Sequence, residues 1–336
     1  MAKTRNYDGE NVRVRPSRSS RPRSKDRPDY SKGGLAMVIA VDRGRTTCLI
    51  ESKSLVVTAM KARELGKQSV VVGDLVRLVG DLSGSEGSLA RLVKVEPRRN
   101  ELSRTVDDSE KVEKRIVANI DQMAIVVAAK NPEPRHGFVD RALVIAFDQG
   151  IKPILIITKT DLANGEEFLK PYEDLDIEIY KTKSLNEGDN SIAKRDSLKE
   201  LREMLSGKVT VLLGHSGVGK STLVNLLAAD SDREIGSVNE VTGRGRHTSS
   251  SAVALALNPG WIIDTPGVRS FGVAHIEAQR VISAYSEFAK VIKHCPKNCS
   301  HDEESCALND PNFNQGLSEK SRSRLDSLRR MLASAG

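Results

Sequence analysis

A chain of 336 residues is long enough for two or three domains and a sizeable core. Its longest apolar run, Met123 to Ala129, is seven residues, which excludes a helix crossing a bilayer. The polar N-terminus lacks a secretory core, so a soluble, cytoplasmic protein without membrane attachment is expected. The net charge of +7 is concentrated at the start: residues 1–34 carry ten Lys and Arg against four Asp and Glu, or +6.

In chain order, residues 1–34 read as a disordered basic arm, since the Arg-, Pro- and Ser-rich stretch from Arg13 to Pro28 has little to bury. Such an arm suits either phosphate-backbone contact through counterion release or plain solubility. Residues 35–103 read as all-β, with short Val/Ile/Leu/Thr-rich runs at Ala36–Val41, Thr46–Ile50, Leu55–Ala59, Asp74–Val79 and Ala90–Val95. Five such runs predict a small barrel of the OB type, an SH3-like barrel being the alternative. The segment has no Phe, Tyr or Trp on which bases could stack. If it meets RNA, phosphate contacts through Arg43, Arg45, Arg98 and Arg99 are expected, against a purely structural barrel.

Residues 104–116 are densely charged and predict a linker or short helix. The pattern then alternates between strand and helix. Strands are expected at Gln122–Ala128, Lys152–Ile157, Glu178–Lys181, Val209–Leu213, Ala252–Leu257 and Trp261–Asp264. Helices are expected at Val139–Gln149, Ser191–Leu205 and Gly219–Ala228. This is a doubly wound, mainly parallel α/β domain over 104–272. From 273 to 336 the chain turns helical: Ile276, Val281, Ile282, Tyr285, Phe288 and Ile292 make one apolar face. A basic closing helix carries Leu325, Leu328 and Leu332 on one stripe.

Three motifs carry the chemistry. Gly214-His215-Ser216-Gly217-Val218-Gly219-Lys220-Ser221, continued by Thr222, joins a strand to a helix as a phosphate-binding loop. Backbone N–H groups and the helix N-terminus hold phosphate oxygens, Lys220 reaches the β and γ phosphates, and the Ser221 hydroxyl is offered to Mg²⁺. The loop alone does not separate GTP from ATP. Asp264-Thr265-Pro266-Gly267 ends a hydrophobic strand, where Asp264 backs Mg²⁺ and the Gly267 N–H senses the γ-phosphate. Between these two motifs, Thr248 is the candidate mobile Mg²⁺ ligand, with Ser249 and Ser250 as alternatives. Thr158-Lys159-Thr160-Asp161 reads the base. An ionised Asp161 accepts from guanine N1–H and the exocyclic amine, a pair of donors that adenine lacks. Thr158 stands where Asn is usual, and the Lys181–Ser184 segment is the candidate second base-side loop. In an ordinary GTPase the base-reading element follows the other two motifs. Here it precedes both, which points to a circularly permuted GTPase domain.

Cys295, Cys299, His301 and Cys306 form a Cys₃His set within twelve residues. In a cytosolic protein this favours one structural Zn²⁺ over free cysteines.

Taken together, the permuted order, the preceding barrel, Arg246-His247-Thr248 and the cysteine/histidine insert resemble the ribosome small-subunit-dependent GTPase A family, over about residues 35–310. The resemblance implies a factor that binds the small ribosomal subunit and its rRNA, acts late in subunit maturation, and cycles between GTP and GDP. It implies slow hydrolysis stimulated by the subunit, catalysed by Lys220 and Thr248. Val268 stands where many GTPases place a water-orienting Gln, so His247 is the candidate for that role by resemblance and position. A monomer is expected. The family spaces its zinc ligands one residue wider in the first and last gaps. Competing readings are an ATP-dependent kinase on the same loop and an RNA-binding scaffold whose nucleotide never turns over.

Overall fold

The computed structural model describes residues 30, 33–42, 44–66, 68–107, 110–175, 177–184, 192–228, 252–265, 278–283, 285, 287–297, 299, 301 and 303–335. The expected basic arm lies almost wholly outside the described residues, as do Arg43, His247, Thr248, Ser249, Ser250, Pro266, Gly267 and Val268.

The first five strands are β1 (Gly34–Asp42), β2 (Arg45–Ile50), β3 (Leu55–Lys61), β4 (Leu75–Gly80) and β5 (Ala90–Val95). β1 pairs with both β2 and β4, and β3 runs parallel to β5, closing the barrel in the order β1-β2-β3-β5-β4. This closure is the OB arrangement rather than the SH3-like alternative. Small and aliphatic residues fill the interior, among them Val38, Cys48, Val57, Ala59, Val76 and Leu92, all fully buried. Closure hides the strand edges that an open sheet leaves exposed.

The charged segment after the barrel is neither linker nor helix. It forms an antiparallel hairpin of β6 (Glu101–Asp107) and β7 (Glu110–Ala118). Its base is anchored by Leu102 and Val117, paired and fully buried, while Arg115 bonds Glu101 at 2.6 Å on the exposed side. At this base buried apolar residues alternate with charged ones, which charge density alone disguised.

The hairpin is clamped to the barrel at Gly73. Gly73 adopts φ +87°, and a Cβ there would lie 2.0 Å from the Ala118 carbonyl oxygen. Asn119 Nδ2 donates to Gly73 O at 2.9 Å, and Ala118 N donates to Val72 O at 2.9 Å. Gly73→Ala is therefore expected to destabilise the protein by about 3 kcal/mol, through left-handed strain plus overpacking against backbone. Denaturant unfolding checks this; wild-type stability would show that the clamp yields.

The α/β half contains β8 (Gln122–Ala128), α1 (His136–Asp148), β9 (Lys152–Thr158), α2 (Glu166–Glu173), β10 (Glu178–Lys181), α3 (Ile192–Leu205), β11 (Val209–Gly214), α4 (Lys220–Ala228), β12 (Val253–Leu257) and β13 (Gly260–Asp264). Helix α2, which carries Glu166 and Glu167 in its first turn, was not among the expected helices: it is short, follows an Asn-Gly step and contains Pro171. The sheet order is β10-β9-β8-β11-β13-β12, parallel except for β12 against β13. One bridge, Ala40 to Val253, continues it into the barrel.

Both faces of this sheet are covered, so its strands read as unbroken apolar runs. Along β8, Met123, Ile125 and Val127 face a core with α1, α2 and the C-terminal helices, while Ala124, Val126 and Ala128 face a core with α3 and α4. From β8 the connections run outward to β9 and β10, whereas β11 lies on the opposite side of β8. The order therefore reverses between β8 and β11, and ligands bind open α/β sheets at such a switch point.

The C-terminal part holds α5 (Ala278–Ser283), α6 (Ala289–Ile292), α7 (Pro311–Gln315) and α8 (Glu319–Ala335). The expected apolar face divides between two short helices, yet Val281, Ile282, Tyr285, Phe288 and Ile292 are all buried, as are Leu325, Leu328 and Leu332. Ile276 lies outside the described residues. Among the described residues, no helix is long and apolar enough to cross a membrane.

Candidate nucleotide site and metal centre

The phosphate loop leaves β11 at Gly214, which sits beside Val126 of β8, at the switch point. Gly217 and Gly219 hold φ of +83° and +90°, so the loop curls where other residues would be strained. Val218 is buried in the sheet core, His215 and Ser216 lie in the loop, and Lys220, Ser221 and Thr222 open α4. The Lys220 ammonium, only 9% exposed, pairs with the Asp264 carboxylate and lies 3.5 Å from Thr265 O. Asp264 ends β13 in register with Leu212 of β11, and the Thr265 hydroxyl donates to Leu212 O at 2.8 Å. Two motifs 44 residues apart are thus brought together by one parallel strand pair.

The base-reading segment joins the same loop. Thr158, at the end of β9, donates its hydroxyl to Val218 O at 2.6 Å and lies 3.3 Å from Val127 O. The departure from Asn thus has a structural meaning: the hydroxyl ties the base-side strand to the phosphate loop across 60 residues. Lys159, at φ +58°, donates to Gly217 O at 2.8 Å and also bonds Asn131 O. Thr160 N donates to Thr182 O at 3.1 Å, holding the two base-side loops together. Asp161 receives the Ser184 backbone N–H on Oδ1 and the Ser184 hydroxyl on Oδ2 at 2.8 Å. The backbone bond first, then the hydroxyl, holds the exposed Asp161 carboxyl below its ordinary range, so it is ionised at neutral pH.

Some residues at this site escaped sequence reading. Asn131, just after β8, supplies the carbonyl that Lys159 grips; an Asn-Pro step after a strand signals only a turn. The ring of Phe138 from α1 lies edge-on to His215 of the phosphate loop, centroids 4.4 Å apart. One expected RNA contact is corrected. Arg98 bonds Asp74 at 2.7 and 2.9 Å, Glu101 at 2.8 Å and Ser69 O at 2.9 Å. Its side chain is only 15% exposed, and it welds the barrel to the hairpin instead of facing a partner. Arg99 is more open but bonds Asp121 at 2.8 Å.

Cys295, Cys299, His301 and Cys306 bring their ligand atoms within 4.8 Å of one another. Cys295 Sγ lies 3.5 Å from His301 Nδ1 and 3.7 Å from Cys306 Sγ, and Cys306 Sγ lies 3.7 Å from His301 Nδ1. A tetrahedron with Zn–S bonds of about 2.3 Å has sulfur–sulfur edges of about 3.8 Å, so the donor set fits a four-coordinate metal. Burial lowers the His301 pKa, leaving the imidazole neutral and able to ligate. The shorter gaps between ligands do not prevent convergence.

Comparison with known proteins follows the same lines. The model of the RsgA GTPase family matches residues 95–274. A Pseudomonas aeruginosa protein named small ribosomal subunit biogenesis GTPase RsgA is 37% identical over 231 residues, covering 67% of this chain and 66% of that protein. The chain thus matches just under two thirds of that relative's length. A Shewanella oneidensis protein of the same name is 38% identical over 253 residues, covering 71% of this chain and 68% of its own. The crystal structure of YjeQ from Thermotoga maritima superposes with TM-score 0.63 at 25% identity, covering 90% of this chain and 98% of that one. A structure described as YloQ, a circularly permuted GTPase, gives 0.61 at 23% identity over 92% and 97% of the two chains. With the base-reading segment ahead of the phosphate loop and both on one switch point, the chain has a circularly permuted GTPase fold and belongs to the RsgA GTPase family.

Proposed function

We propose that the protein is a GTP hydrolase that binds the small ribosomal subunit, assists its late maturation and turns over faster when bound to it. The observation that supports this reading is the pair of bonds from Thr158 and Lys159 to the phosphate loop, which tie the expected base-reading segment to the expected phosphate site. Asp161 then receives guanine N1–H and the exocyclic amine, while Lys220 neutralises β- and γ-phosphate charge as it develops. Mg²⁺, when bound, supplies further neutralisation of that charge, and Ser221 with Thr248 would hold it in front of Asp264. Gly267 senses the γ-phosphate, and His247 positions the attacking water. An ionised, Ser184-clamped Asp161 supports GTP over the ATP of the kinase reading.

In this reading the chain divides into a basic arm (1–34), an OB barrel (35–103), a permuted GTPase domain (104–272) and a zinc-bound helical domain (273–336), working as a cytoplasmic monomer. The arm and the barrel, through groups such as Arg45 and Arg99, meet rRNA phosphates. Phosphate release from GTP, measured with small subunits, large subunits or neither, tests the proposal. Stimulation by small subunits alone is expected. Equal rates in all three would remove the ribosomal role, and no release in any would leave the scaffold reading.

Cys295, Cys299, His301 and Cys306 would hold one zinc, supplying structure rather than chemistry since four side-chain donors would leave no open position for water. Metal analysis of purified protein is expected to find about one zinc per chain. Chelation is expected to make the 295–306 segment sensitive to limited proteolysis. Metal-free protein with an equally resistant segment would refute the zinc assignment.

A further inference from the structure

The two loops that close on the nucleotide are each backed by a helix. The phosphate loop packs on α1, through the edge-on contact of Phe138 with His215. The base-reading segment leads within a few residues into α2, which starts at Glu166. Both helices are gripped by the last helix of the chain. On α2, Ser327 of α8, fully buried, donates its hydroxyl to Pro171 O at 2.8 Å, and Arg324 donates to Asp174 O at 2.6 Å just past the helix end. On α1, Arg330 Nε donates to Asp140 Oδ2 at 3.3 Å, and its Nη2 donates to Ser327 Oγ at 3.0 Å.

Asp140 joins all three helices. Its other oxygen, Oδ1, accepts the Tyr172 hydroxyl of α2 at 3.1 Å, and that hydroxyl lies 3.0 Å from Nδ1 of His136, the first residue of α1. The His136 ring stacks on Phe168 of α2 at 4.4 Å. Asp140 is 1% exposed, and a carboxylate so deeply placed is tolerated only with its partners in position. Burial pushes its carboxyl up, and Arg330 is the main group pulling it back. The partners lie 32 and 190 residues away in sequence, so this network is a tertiary junction and not part of any one helix.

We propose that α8 is a positioning element for the nucleotide site, with Arg330, Asp140 and Tyr172 holding α1 and α2, and so the phosphate and base loops, at their working separation. Anything that draws α8 away from this junction changes the separation of the two loops and so loosens the grip on guanine nucleotide. The proposal rests on the GTPase reading given above.

Full-length Tyr172→Phe, Arg330→Ala and Arg330→Lys proteins test it, through KM and kcat for GTP, the release rate of a fluorescent GDP analogue, and thermal unfolding. Tyr172→Phe removes one oxygen and little volume. Tyr172→Phe and Arg330→Ala are each expected to raise KM and GDP release about three- to tenfold, with kcat changed by less than about twofold. Arg330→Lys, which keeps the charge and a donor, is expected to recover most of that loss. Lowered unfolding temperature with wild-type KM and GDP release would mean that the junction is structural only, and the proposal fails. A fall in kcat at constant KM also overturns it. Failure of the unaltered protein to bind GTP would instead strike down the GTPase reading and this proposal with it.

Discussion

Replacing Lys220 with alanine is expected to lower GTP turnover by at least about 100-fold, the scale of losing one preorganised charge donor at a transition state. Lys220 is the cation placed at the junction of β11 and β13, nearly buried and set against Asp264 and Thr265 O. In a loose phosphoryl-transfer transition state, charge spreads over the γ-phosphoryl oxygens, and little else in the loop offers a full positive charge. Alanine also leaves Asp264 without its partner at a site where its side chain is 16% exposed. That unpaired carboxylate repels the triphosphate, so nucleotide affinity falls together with kcat. Single-turnover hydrolysis under saturating GTP separates the two effects. Wild-type turnover in this variant would remove Lys220 from the mechanism.

Asp161→Asn is expected to change base choice without unfolding the site. In the function proposed above the carboxylate accepts two donors from guanine; in the structure Ser184 holds it through N–H and hydroxyl. Asparagine keeps an acceptor for the Ser184 N–H, and the Ser184 hydroxyl rotates to accept from the new amide. Toward the base, the amide now meets the guanine exocyclic amine donor to donor. Xanthine carries a carbonyl at that position, which the amide satisfies. A site built on such bonds discriminates by about 10⁴-fold, so GTP is expected to lose about two orders of magnitude or more relative to XTP. Competition of GTP and XTP for a labelled nucleotide measures the ratio. Unchanged discrimination would place base recognition elsewhere.

These two residues were legible from the chain because their motifs are local. A glycine-rich loop between an apolar strand and a helix, and a Lys-x-Asp step at a strand end, declare themselves within a few residues. The Cys₃His set is local in the same way. Residues that work through distant partners gave no such sign. Thr158 stands where Asn is usual, and only the fold shows its hydroxyl on Val218 O. Arg98 looked like a phosphate contact, since an exposed guanidinium and a buried one are the same letter. It instead bonds Asp74, a fully buried carboxylate 24 residues earlier. The hairpin of β6 and β7 was hidden because its anchors, Leu102 and Val117, are few among many charges.

The amino-acid order by itself determined the barrel's strands, the permuted succession of motifs, the phosphate loop and the Cys₃His donor set, because periodicity, spacing and turn chemistry act over a handful of residues. Only the tertiary structure decided that Thr158 and Lys159 fasten the 158–161 segment to the phosphate loop, and that α8 returns across 190 residues to bond Asp140 of α1. Such pairings depend on which helix faces and strand ends the folded sheet brings together, and no local spacing carries that information.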